Sequence, residues 1–313
     1  MKKILIIGLI VLVAAAGAFL LHLSAQSEET EETTETTVYT EPATEPTSEP
    51  ITQAETEPTG PTNDRGGNGE EHVFSHRGAS GEETEHTLKA YDLAIAEGSQ
   101  YIEQDVLLSK DGTMYVSHDD SASRITGTDR NYADMTDSEI DALQTSDGQK
   151  ILKLSDVFDT YGERVSYVIE LKVDEAADPF IEMVKKYGYA NRIIVQSSNQ
   201  EVLEKVDMEL PDIRTLYLAK DQESFNSGLQ MWAVDILSVK KDLMTSENCN
   251  AAHNAEPPKQ FNVWTLNEES EIKEAIQMGV DSYFTDYTRR ALELEQEYRT
   301  GTQTVSETSS ESQ

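Results

Sequence analysis

Eight short apolar runs, each separated from the next by longer stretches, constrain this chain more than anything else in it. They cover residues 72–76, 101–107, 165–171, 192–196, 213–218, 234–239, 261–266 and 282–285. Between the first two, Leu88, Tyr91, Ala94 and Ile95 recur at helical spacing, and Gly98 supplies a stop. Ile272, Ala275 and Ile276 repeat the pattern before Gly279. Strands alternating with helices in this number predict a (β/α)8 barrel, with an open doubly wound sheet as the alternative. Lys110-Asp111-Gly112 breaks the rhythm with a hairpin-like turn leading into a further strand at 114–118. Residues 119–150 then form a polar, acidic excursion, expected as an insertion over one mouth of the barrel.

The rest of the chain is unlike this core. Lys2 and Lys3 precede an uncharged run over residues 4–21, about the length at which a helix begins to span a bilayer. Lysines before it and glutamates after it predict an N-terminus inside and the remainder outside. Residues 1–21 thus read as a signal-anchor or transmembrane segment, with a cleaved secretory signal as the alternative. Residues 22–70 are rich in Thr, Glu and Pro, carry the repeats Glu41-Pro42, Glu45-Pro46 and Glu49-Pro50, and predict an extended, disordered linker. Residues 71–293 read as the catalytic barrel, and 294–313 as a helix end followed by a disordered tail.

Net charge excludes one class of partner. With 25 basic and 59 acidic side chains the chain carries −34, so its surface repels a phosphate backbone and no nucleic-acid role is expected. The same charge argues against a polybasic membrane contact, leaving the N-terminal segment as the expected membrane attachment. Cys249 is the lone cysteine, so neither a disulfide nor a thiolate zinc site holds the fold together.

Chemistry concentrates at the ends of the apolar runs. Glu103 and Asp105 are two apart in a strand and project from one face, while Ile102 and Val106 face the other way. Adjacent carboxylates repel and lose hydration, a cost usually offset by a cation. Glu170 and Lys172 repeat the spacing on the next barrel strand, so Glu103, Asp105 and Glu170 make an oxygen-only set suited to one divalent cation, Ca²⁺ or Mg²⁺. Pairing of these acids with Lys or Arg at a barrel rim is the bland alternative. His76 ends the first strand and His118 the hairpin strand, and phosphodiester cleavage needs one proton accepted and one donated. Arg77 and Lys172 supply positive charge for phosphate oxygens. His72, His86 and His253 lack such neighbours and read as structural or of unknown role, and His22 borders the apolar segment.

The order of these motifs resembles the glycerophosphodiester phosphodiesterase family. Its signature of His-Arg-Gly, Pro-Glu-Asn-Thr, Glu-x-Asp, Lys-Asp-Gly, His-Asp, Glu-x-Lys, Trp-Thr-x-Asn and Thr-Asp runs here from about His72 to Tyr287. The matches are His76-Arg77-Gly78, Glu103-Gln104-Asp105, Lys110-Asp111-Gly112, His118-Asp119, Glu170-Leu171-Lys172, Trp264-Thr265-Leu266-Asn267 and Thr285-Asp286. The resemblance implies a TIM barrel in which His76 and His118 are the acid/base pair. It also implies that Glu103, Asp105 and Glu170 hold the cation, Arg77 and Lys172 hold phosphate, and Trp264 lines the pocket. Thr84-Glu85-His86-Thr87 departs from the pattern, with His86 where Asn is expected, and Tyr287 stands where Pro is common. The implied reaction is hydrolysis of a glycerophosphodiester to an alcohol and glycerol 3-phosphate, outside the membrane. Other expectations are a lysophospholipid or a glycerol-phosphate cell-wall polymer as substrate, or a catalytically inactive surface-binding barrel.

Overall fold

Strand alternation becomes a closed ring in the computed structural model, which describes residues 72–298. Nine strands are present among the described residues: β1 Val73–Ser75, β2 Tyr101–Leu108, β3 Met114–Val116, β4 Ser166–Leu171, β5 Ile193–Ser197, β6 Arg214–Ala219, β7 Ile236–Lys240, β8 Gln260–Trp264 and β9 Ser282–Thr285. All but β3 pair in parallel around the sequence-order circle, and β1 closes it by pairing with both β9 and β2. β3 instead lies antiparallel on β2, with Val106 opposite Val116. The expected eight-stranded barrel is therefore present and the open sheet is not.

Helices cover the outside: α1 Leu88–Ala96, α2 Ser123–Thr126, α3 Asp137–Asp141, α4 Leu154–Tyr161, α5 Ala177–Tyr187, α6 Gln200–Glu209, α7 Gln222–Gly228, α8 Ser246–His253 and α9 Glu269–Met278. Residues 288–298 form one more helix. α1 starts where the Thr87 side chain accepts the Ala90 N–H, and α9 stops at Gly279 in the left-handed region (φ 83°).

Side-chain parity sorts the strands into two environments. Outward residues such as Ile102, Val106, Tyr167, Ile169, Val195, Leu237 and Val263 join the helices in the main core. Inward residues Phe74, Tyr101, Val168, Ile194, Leu216, Leu218, Ile236 and Phe284 fill the barrel, and Trp264 packs against this plug. Further along β2 and β4, inward positions turn polar at Glu103, Asp105 and Glu170. The apolar plug thus supports a charged layer at the C-terminal ends of the strands, where barrel active sites sit.

Residues 119–150 hold α2, α3 and a short 3₁₀ turn. They are not purely polar: Ala122, Tyr132, Met135 and Ile140 pack with Leu107, Tyr115 and Ile151 in a small core of their own. Among the described residues no helix is long and apolar enough to cross a membrane. The expected span at 1–21, the linker at 22–70 and the tail past residue 298 lie outside the described residues.

Candidate active site

β2 and β4 set the carboxylates. Strand register places Asp105 beside Glu170 and Glu103 beside Val168. Glu103 and Asp105 are each 1% exposed. Burial, then the adjacent Asp105, pushes Glu103 well above the usual carboxylate range, against the pull of Arg77. Burial works the same way on Asp105, but hydrogen bonding to His86 and the charges of Lys172 and Arg77 outweigh it and hold Asp105 well below that range. Burial and Asp105 raise Glu170 to about 7, against Lys172.

Asp105 is the electrostatic hub. Its Oδ2 lies 2.9 Å from His86 Nε2 and 3.4 Å from Arg77 Nε, and its Oδ1 lies 3.4 Å from Lys172 Nζ. Lys172, immediately past β4, also reaches Glu170 at 3.1 Å. Glu103 accepts the Arg77 backbone N–H at 2.9 Å and the Gln196 amide at 3.2 Å. Turning the chain at Arg77 needs a left-handed backbone (φ 57°), followed by Gly78 (φ 85°), where a Cβ would stand 2.7 Å from the Ala90 carbonyl carbon.

Both sequence-selected histidines have Nδ1 held by a carboxylate. His76, just after β1, places Nδ1 2.6 Å from Asp286 Oδ1. His118 lies beyond the end of β3 rather than within it, with Nδ1 2.7 Å from Asp119 Oδ1. A carboxylate at Nδ1 fixes the tautomer and leaves Nε2 for proton transfer. Asp286 also accepts from Ser80 at 3.0 Å and from Asn267 at 2.6 Å. Burial alone would raise the Asp286 carboxyl, but these bonds, His76 first, hold it at about 2.

A depressed folded-state pKa gives stability that is present above the unfolded value and lost as pH falls through the folded one. Asp286→Asn is therefore expected to cost up to about 2 kcal/mol at pH 7 and almost nothing near pH 2. Urea melts across that range check it; an equal cost at both ends would sink the attribution.

The insertion contributes one residue that sequence reading passed over. Arg124 on α2 donates to Asp119 at 2.5 Å and grips both oxygens of Glu85 at 2.8 Å. Glu85 in turn accepts from Arg77 at 3.1 Å. Burial opposes its ionisation, yet Arg124 and Arg77 hold the Glu85 carboxyl at about 2. An unbroken chain of charge thus links the His118 side of the mouth to the Arg77 side. Bidentate geometry within a network gives such a pair more weight than an isolated surface bridge.

Trp264 ends β8 above the plug, and Lys240 Nζ sits 5.6 Å from the centre of its ring. His86, which the sequence reads as structural or of unknown role, is buried beside the acidic cluster, with Nε2 2.9 Å from Asp105 Oδ2. Its left-handed backbone (φ 57°) is one that Asn and His both tolerate, which accounts locally for the exchange at this position. Asp286 and Asn267 belong to the signature but take their role only from the structure; in the sequence Asp286 is marked by the Thr-Asp element just past the last strand.

Buried carboxylates crowded in this way fit a divalent cation. Ligand atoms from His86, Glu103 and Asp105 all lie within 4.8 Å of one another. Glu170 adjoins Asp105 in the same layer.

Comparison with known proteins identifies the family. Residues 76–290 match the glycerophosphoryl diester phosphodiesterase family. A glycerophosphodiester phosphodiesterase of Caldanaerobacter subterraneus is 29% identical over 233 residues, covering 68% of this chain and 93% of that protein. The Thermotoga maritima glycerophosphodiester phosphodiesterase structure is 30% identical with a TM-score of 0.62, covering 71% of this chain and 97% of its own. An Oleispira antarctica phosphodiesterase, solved with the product sn-glycerol-3-phosphate, shares the fold at 23% identity and a TM-score of 0.65, covering 72% and 96%.

Proposed function

This chain belongs to the glycerophosphoryl diester phosphodiesterase family and is a phosphoric diester hydrolase, and from that premise we propose a cation-dependent cleavage of glycerophosphodiesters to an alcohol and glycerol 3-phosphate. The observation that carries the reading is the pair of histidines, each with Nδ1 on a carboxylate, beside one buried acidic cluster.

In this reading Glu103, Asp105 and Glu170 hold one divalent cation, which when bound neutralises a phosphate oxygen and favours attack at phosphorus. Arg77 and Lys172 steady the remaining phosphate oxygens. One histidine Nε2 takes the proton of the attacking hydroxyl, either from water, which gives glycerol 3-phosphate directly, or from the neighbouring glycerol, which gives a cyclic phosphate that a water must then open to the same product. The other returns a proton to the departing alkoxide as its P–O bond breaks. Trp264 supplies an apolar wall. Carboxylates at both Nδ1 atoms keep each ring in the orientation that its step requires.

The test is release of glycerol 3-phosphate from a panel of glycerophosphodiesters by the purified full chain, before and after chelation. We expect turnover that chelator removes and divalent ion restores. Absence of turnover with every diester and ion would overturn the assignment. We further propose that the barrel works outside the membrane, a reading supported by the apolar run at 4–21 and the acidic segment after it. Protease added to intact cells should then digest it.

A further inference from the structure

We propose that His86 is a nitrogen ligand of the cation site, so that this chain takes Zn²⁺ or Co²⁺ ahead of Ca²⁺. The inference rests on the cation-site reading above and deepens it.

Three observations carry it. First, His86, Glu103 and Asp105, all buried, bring ligand atoms within 4.8 Å of one another. Glu170, the third carboxylate chosen from sequence, stands outside that group and is engaged by Lys172 at 3.1 Å. Second, the His86 ring is built in place from both sides. Nε2 lies 2.9 Å from Asp105 Oδ2 and Nδ1 lies 2.9 Å from the hydroxyl of fully buried Tyr91. Third, its backbone is pinned, with the His86 N–H donating to the Arg77 carbonyl at 3.0 Å and the next residue capping α1.

The hydroxyl of Tyr91 can donate or accept, and that freedom allows two states. When Tyr91 donates to Nδ1, the ring proton is on Nε2 and points at Asp105. When Tyr91 accepts, Nδ1 carries the proton and the Nε2 lone pair faces an Asp105 oxygen lone pair. In the neutral ring, only a cation held by both atoms makes the second state favourable. A ligating imidazole whose other nitrogen donates to a fixed acceptor is the usual arrangement at metal centres. An imidazole among carboxylates also moves the site's preference from hard alkaline-earth ions toward borderline transition ions.

The experiment uses the untagged full chain, stripped with chelator and loaded with Mn²⁺ as the probe. Pulsed electron paramagnetic resonance reads ¹⁴N coupling at the bound ion, and competition titrations compare Zn²⁺ with Ca²⁺. The variants are His86→Asn, which the left-handed backbone accepts, and Glu103→Gln. We expect imidazole nitrogen coupling in the wild type that vanishes in His86→Asn while Mn²⁺ still binds. The preference for Zn²⁺ over Ca²⁺ should fall in that variant on the order of 10-fold or more. Bound Mn²⁺ without nitrogen coupling, or coupling that survives in His86→Asn, overturns the role of His86 and leaves the cation site standing. Failure of the wild type to bind Mn²⁺, or binding indifferent to Glu103→Gln, overturns the cation site itself and the ligand with it.

Discussion

Replacing His76 or His118 by alanine is expected to lower kcat on glycerophosphodiesters by about 10²- to 10⁴-fold, the usual contribution of a positioned proton-transfer group. The two losses should respond differently to the leaving group. A nitrophenolate departs without a proton, so loss of the general acid is largely rescued with a nitrophenyl diester, whereas loss of the general base is not. Comparing both variants on both substrates assigns the roles. The structure adds a condition: each ring depends on a carboxylate at Nδ1, Asp286 for His76 and Asp119 for His118. Asp286→Asn and Asp119→Asn should therefore slow the same steps by less than removal of the ring does. If His76→Ala and His118→Ala both retained wild-type kcat, the acid/base assignment would fail.

Asp105→Ala is expected to destabilise the fold and Glu103→Gln is not, though the two carboxylates are two residues apart on one strand. Asp105 faces His86, Arg77 and Lys172 and is held ionised by them. Its removal strands buried positive charge, a loss on the order of 3–5 kcal/mol. Glu103 is in the reverse position, since burial and the Asp105 charge disfavour its ionised form. Glutamine keeps the shape without that charge, its oxygen accepting the Arg77 N–H and its NH2 donating to the Gln196 oxygen once that amide turns over, so Glu103→Gln should melt at or above wild type in chelator while losing its cation. Urea or thermal melts with and without added ion separate these outcomes. Equal destabilisation by both changes would show that the asymmetry in the cluster is wrong.

The expected strands were recoverable from sequence because their signal is local. A buried parallel strand reads as a short apolar run, and the observed bounds differ from the expected ones by one or two residues at most ends, as at Ile193–Ser197 against 192–196. Glu103 and Asp105 stood out for the same reason, as charges interrupting such a run on a single face. The hairpin strand was overextended, because His118 follows an apolar stretch that stops pairing at Val116. His86 was set aside because its neighbours in sequence say nothing about Asp105, which reaches it only through the packing of the turn before α1 onto β2. Arg124 was passed over in an excursion that looked merely polar, although its partner Glu85 lies 39 residues earlier in the chain.

What the sequence by itself determined was the barrel and its reaction class. Parity along a strand and the order of motifs do not depend on which elements later touch. What only the tertiary structure decided was who holds whom. Asp286 orients His76 across 210 residues, because β1 pairs with β9 to close the ring. His86 stands among the carboxylates because α1 and β2 converge there. Those contacts are consequences of barrel closure, and no local pattern encodes the closing distance.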